Sequence, residues 1–207
     1  MKKLLLILVF FLSSQIVIFP QIKVDKGIYK LNFNNTFHEP TYVSYYLYRG
    51  GGNCDRDAKH FTFKNDDPDL QCATDKDYEN AKGYDKGHLA NAEDFAFDCT
   101  KEELTFRYYN CLPQTRNLNR GIWKSVETKI REWSQKEKLY IICGGFFSNK
   151  KIGDMSIPSY CWKVVQSVPT KKVLFSGWFS NTDKAQLDTL SVPEIENKLH
   201  AHIILCK

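Results

Sequence analysis

Residues 110–136 read NCLPQTRNLNRGIWKSVETKIREWSQK, and their apolar spacing decides the fold. Trp123, Val126, Ile130 and Trp133 recur at i, i+3, i+7 and i+10, the period of one helix face, which predicts a helix over residues 120–136 packed on a core. Before it, residues 108–112 read as a short extended piece and residues 83–92, GYDKGHLANA, as a strand or hairpin edge. Residues 41–48 (TYVSYYLY), 139–143 (LYIIC), 161–165 (CWKVV) and 173–178 (VLFSGW) read as strands, with a shorter one at 61–63 and a single helical turn at 195–199. Residues 49–59 carry three consecutive glycines and read as a loop. The polar, aspartate-rich stretch 65–84 reads as a second loop, long enough to imply a functional surface. Strands, one main helix and more strands predict an α+β domain.

The chain has 207 residues, 43% hydrophobic and 14% aromatic, enough for one globular core. Residues 1–21 read as a leader, with Lys2 and Lys3 ahead of an apolar run at 4–12, so the expected domain is 22–207. No small-residue cleavage signature follows, because Ser13-Ser14 leads into a second apolar run at 16–19 and then Pro20. The expected location is therefore secreted or periplasmic, or membrane-tethered if the leader stays uncleaved. All seven cysteines (Cys54, Cys72, Cys99, Cys111, Cys143, Cys161, Cys206) lie beyond the leader, which predicts disulfides with one thiol left over. None has the close cysteine neighbour of a zinc site.

Without Lys2 and Lys3 the chain holds 27 basic against 24 acidic residues, a net of +3. Such a charge excludes a general polyanion sponge, and any nucleic-acid contact must come from a local cluster. Arg116, Arg120, Lys124, Lys129, Arg131, Lys136 and Lys138, set against Glu127, Glu132 and Glu137, form one; the same run also reads as a solvated helix face.

Three residues suggest chemistry. Glu127 stands at the edge of the helix stripe that faces the core, where a carboxylate is costly unless it is paired or serves a cation. Asn119 offers an amide oxygen, a hard ligand suited to a Mg²⁺ that keeps most of its waters. The plain alternatives are an N-cap for Asn119 and an ion pair with Lys124 or Arg131 for Glu127. In Asp85-Lys86-Gly87-His88, the histidine is equipped as a general base, or else is an ordinary structural histidine.

Taken together, YDKGHLA at 84–90, Asn110-Cys111-Leu112-Pro113-Gln114, and Leu118 to Trp123 with Glu127 resemble the signature of the DNA/RNA non-specific endonucleases in order and spacing. That family includes secreted sugar-non-specific bacterial nucleases and mitochondrial endonuclease G. Asp77-Tyr78, the run 157–163 and the Asn181 region extend the resemblance over nearly the whole expected domain. It implies a ββα-metal (His-Me finger) fold, with a central antiparallel sheet and flanking helices. It implies too that His88 is the general base, that Asn119 is the protein ligand of Mg²⁺ (with Mn²⁺ as a substitute), and that Glu127 orders the metal's waters. Asp85 would support the loop, and Asn110 would help orient His88 or the metal shell. Phosphate contacts would fall to Lys86, Arg56 or Arg120. The family usually has arginine at the place of Lys86, and a point charge there loses the bidentate grip of a guanidinium.

The implied substrates are DNA and RNA, cut to 5′-phosphate products without sequence preference, since nothing resembles a base-reading helix. Tyr45, Tyr46 and Tyr108 are either core residues or stacking platforms. Two other readings stand beside this one: a binding-only relative, and a hydrolase of another phosphodiester or ester on the same fold. No stable protein partner is implied, and a homodimer is left open.

Overall fold

The computed structural model describes residues 21–57 and 61–206. The leader expected at 1–21 thus lies, except for Gln21, outside the described residues, within which no helix is long and apolar enough to cross a membrane. In chain order the elements are β1 (Ile22–Asp25), β2 (Lys30–Asn34), β3 (Glu39–Leu47), α1 (Asp75–Asn80), β4 (Tyr84–His88), α2 (Cys99–Thr105), β5 (Cys111–Thr115), α3 (Lys124–Ser134), β6 (Leu139–Ile152), β7 (Met155–Ser167), β8 (Val173–Ser180), β9 (Leu187–Thr189) and α4 (Val192–Leu199).

Seven strands pair antiparallel in the order β1-β2-β3-β6-β7-β8-β9, while β4 and β5 form a separate antiparallel hairpin. Alternation sorts the large sheet into two faces. Val43, Tyr45, Ile141, Cys143, Cys161 and Val165 face the hairpin and α3, where they join Leu112, Trp123 and Ile130. Ile142, Trp162, Val164 and Trp178 face the other way, onto Ile195 of α4. The result is the α+β, mainly antiparallel architecture that the sequence predicts.

The helix stripe is where its period places it: Trp123 and Ile130 are buried, and Val126 and Trp133 pack against the core. Its start differs. Leu118–Trp123 is a π-helical turn, broken at Gly121 (φ −102°, ψ −113°), and regular α-helix begins only at Lys124. Such wide turns often mark functional positions. Asn181 fastens the small hairpin to the large sheet, its Nδ2 donating to Pro113 O (2.9 Å) and Pro158 O (2.8 Å) and its Oδ1 accepting from Thr115 N (2.8 Å).

Several expectations are corrected. The stretch 65–84 is not all loop, because a capping box of Thr74 and Asp77 starts α1 inside it. Residues 61–63 form no strand; their neighbour Lys64 makes only an isolated bridge to Arg107. Tyr108–Asn110 is a 3₁₀ turn, with extended chain starting at Cys111. Helix α2 was not anticipated, although its N-cap Asp98, which accepts from the Thr100 and Lys101 amides, is a readable signal. One disulfide exists among the described residues, Cys54–Cys99, rather than three. Cys111, Cys143 and Cys161 are free and buried as small apolar residues, with burial pushing the Cys143 and Cys161 thiols up to about 12. Tyr45 and Tyr108 are buried, whereas Tyr46 is half exposed against Tyr140.

Candidate active site

Hairpin β4-β5 runs directly into the turn that bears Asn119, so three short elements bring together what the sequence separates by 31 positions, His88 and Asn119. In the hairpin register His88 opposes Cys111, and Gly87 opposes Leu112. At Gly87 a Cβ would lie 2.1 Å from Gln114 Oε1, so any side chain there would have to displace Gln114.

Asp85 organises the metal-ligand candidate. Its Oδ2 accepts from Asn119 Nδ2 (3.1 Å) and Arg120 Nε (2.7 Å), while its Oδ1 accepts from Arg120 Nη2 (2.7 Å). Burial raises the Asp85 carboxyl, but the hydrogen bonds from Arg120 and Asn119 and the nearby guanidinium charges outweigh it and hold the group below the usual carboxylate range. The side chain of Asn119 is therefore no helix cap: its amide nitrogen is engaged and its Oδ1 takes no hydrogen bond among the described residues. Arg120, expected as a phosphate contact, is exposed and places Nε and Nη2 on Asp85.

His88 is half buried between Phe63 (ring centroids 4.9 Å apart) and Phe106 (4.8 Å). Its Nε2 is enclosed with no partner among the described residues. Burial, and then the charge of Arg56, lower its pKa to about 3, so the ring is neutral at physiological pH. Asn110 does not touch the ring. It is fully buried, donating to Ala90 O (3.0 Å) and Thr105 O (2.9 Å) and accepting from Ala90 N (2.9 Å), so it clamps the chain two residues beyond His88.

A native histidine that resists protonation binds fewer protons than the unfolded chain between about pH 3 and its ordinary 6.5. Its contribution to stability is full above 6.5 and is lost as pH falls through that window. Urea unfolding of the wild type and of His88→Gln from pH 7 to 4 checks this: the wild type loses stability relative to the variant as pH falls, and a constant difference would refute the neutral, half-buried ring.

Arg56, whose register the sequence left blurred, is brought close enough to His88 to bias it. Its guanidinium pairs with Glu93 (2.6 Å) and with the fully buried Glu102, and lies over Phe106. The Cys54–Cys99 bridge, two residues from Arg56, ties this loop to α2, and Gly52 packs on the Ala96 backbone, where a Cβ would clash at 2.2 Å. Reduction of the bridge, which closes a loop with separation 45, is expected to cost about 2–4 kcal/mol in denaturant unfolding and to lower activity together with stability. Lys86 contacts Asp75 and sits among the rings of Phe63, Tyr78 and Tyr108, at 5.3, 5.6 and 5.4 Å. Its charge is therefore held by aromatic faces and one carboxylate.

Glu127 is buried, as its place on the stripe requires, but it pairs with neither Lys124 nor Arg131. Lys163 Nζ of β7 lies 3.4 Å from its Oε1. Arg131 instead bonds Asp94 (3.0 Å) and Asn91 (3.1 Å). Burial pushes Asp94 up to about 6 despite its bonds to Tyr45 and Arg131. Asp75 and Asp94 were not singled out from sequence, and Lys163 and Phe63 entered only as the ends of the run 157–163 and of the stretch 61–63, without a role at the site. Only Lys163 had a signal, an ammonium alternating with apolar residues in CWKVV.

Among the described residues no three His, Cys, Asp or Glu side chains converge as a metal cage. A cation here would rest on one free amide oxygen with carboxylates behind it. That donor set fits a largely hydrated hard ion and not a zinc-type site.

Residues 19–206 match the family model described as DNA/RNA non-specific endonuclease. A nuclease of Nostoc sp. (strain PCC 7120 / SAG 25.82 / UTEX 2576) is 28% identical over 181 residues, covering 86% of this chain and 66% of its own length. Mitochondrial nuclease EXOG of Mus musculus is 26% identical over 190 residues, or 82% of this chain and 51% of that protein. The chain thus spans from about two thirds to about half the length of these relatives. A solved EndoG/EndoGI complex, described as showing the mechanism of EndoG inhibition, superposes with a TM-score of 0.70 at 19% identity, covering 86% of this chain and 83% of that one, so the fold is the same. With the family match running from 19 to 206 and the ββα arrangement in place, the chain belongs to the DNA/RNA non-specific endonuclease family.

Proposed function

We propose that this protein is an exported endonuclease, dependent on Mg²⁺ or on Mn²⁺ in its place, that hydrolyses phosphodiester bonds of DNA and RNA without reading sequence. The observation that carries the reading is the pairing of Asn119 Nδ2 with Asp85, which leaves Oδ1 as the free hard donor beside the hairpin that ends in His88. An ion bound there would supply Lewis acidity against the negative charge that develops on the phosphoryl group and the leaving 3′ oxygen.

The chain's own residues do the rest. Because Nε2 of His88 is enclosed, Nδ1 is the nitrogen that meets water. The neutral ring accepts a proton there as the water attacks phosphorus and the P–O3′ bond breaks, giving a 5′-phosphate and a 3′ oxygen that takes its proton from solvent. Asp85 holds Asn119 in place, and Asn110 holds the strand end behind His88. Arg56 lies over the ring of Phe106 and Lys86 over that of Phe63, two rings in contact, so both cations border the ground where a phosphate would sit without base contacts. Export is supported by the leader-like residues 1–21 and by a bridge, Cys54–Cys99, that persists in oxidising compartments.

Supercoiled plasmid and total RNA, incubated with the purified protein in Mg²⁺ and in EDTA, test the reading. Degradation of both substrates in Mg²⁺ alone is expected. Intact substrates across a range of divalent ions, together with salt-sensitive binding, would favour a binding-only relative.

A further inference from the structure

We propose that Lys163 is a positioning residue for the reaction, a buried side chain that fixes the direction of the Glu127 carboxylate; this rests on the nuclease reading above. Period-two alternation in β7 sets Lys163 between Cys161 and Val165, both fully buried, on the sheet face covered by α3. Its neighbours across the sheet are Cys143 and Gly177. None of its side chain is exposed, and Nζ lies 4.0 Å from the centre of the Trp123 ring and 3.4 Å from Glu127 Oε1. Among the described residues no other carboxylate pairs with it.

Stability does not account for such a pair. Desolvating both ions costs about as much as their attraction returns, and well-packed apolar side chains of the same volume often do as well or better. The effect is on Glu127. Its Oε1 is held by Lys163, while its side chain keeps 7% of its surface open and Oε2 takes no protein hydrogen bond among the described residues. Arg131 is occupied by Asp94 and Asn91, so Lys163 alone sets the carboxylate. Glu127 lies in the first turn of α3, just after the turn that bears Asn119. An outer carboxylate there can order water around an ion on Asn119 only if it does not swing.

The test compares Lys163→Met, which keeps the volume and removes the charge, with Glu127→Gln and the double variant. Loss of an outer-sphere partner predicts a 10–100-fold weaker Mg²⁺ affinity, read by titration calorimetry as well as by kcat, with DNA affinity in EDTA unchanged. In the Glu127→Gln background Lys163→Met should add little, because the two act as one unit. A variant that melts at a lower temperature yet binds Mg²⁺ and turns over like wild type would overturn the proposal and leave Lys163 purely structural. Should Lys163→Met fail to fold, the double variant and Lys163→Arg, which retains a cation, decide it: Lys163→Arg should keep near-wild-type Mg²⁺ affinity, and the double variant should match Glu127→Gln. If wild type itself neither binds Mg²⁺ nor cuts nucleic acid, it is the nuclease reading that has failed.

Discussion

His88→Ala should lower the rate of plasmid and RNA cleavage by about 10²–10⁴-fold, the usual contribution of a general base, with the fold intact. The fold survives because no structural bond depends on the imidazole. Its Nε2 has no partner among the described residues, and the hairpin is held by the β4-β5 ladder and by Asn110 on Ala90. Truncation leaves a gap between Phe63 and Phe106, and exogenous imidazole that enters it should restore part of the activity. Single-turnover cleavage with and without imidazole, beside far-ultraviolet circular dichroism, measures both. A His88→Ala protein that cuts at the wild-type rate would remove His88 from the chemistry.

The second large effect is expected at Asn119. Asn119→Ala removes the amide oxygen left free beside Asp85, and several kcal/mol of transition-state stabilisation go with it, roughly 10²–10⁴-fold in rate. The Arg120 fork on Asp85 does not involve Asn119 and keeps the turn in place. Asn119→Asp is the sharper variant. A carboxylate is nominally the better ligand, yet it loses the N–H that now donates to Asp85 at 3.1 Å and sets two negative charges against each other. Both variants should therefore be impaired, with Mg²⁺ titrations of activity shifted to higher concentration. A fully active Asn119→Asp would mean that the Asp85 contact does not orient the ligand.

Much of this was legible because it is local. Trp123, Val126, Ile130 and Trp133 announce α3 through a period that any isolated stretch displays, and runs of β-forming and apolar residues announce the cores of β3, β6, β7 and β8. The chain itself therefore determined the α+β class, the buried stripe of α3 and an extended piece at His88, but not the wide turn that bears Asn119. It did not determine partners. Cys54 with Cys99, Glu127 with Lys163, Arg120 with Asp85 and Arg56 beside His88 are joined across 32 to 45 positions. The register of the large sheet decides which buried charge meets which, and the path of the loop before α1 decides which thiols meet. Periodicity fixes the face on which a residue lies, but pairing energies depend on distance in space and on desolvation, and both exist only once the two faces of the sheet have closed.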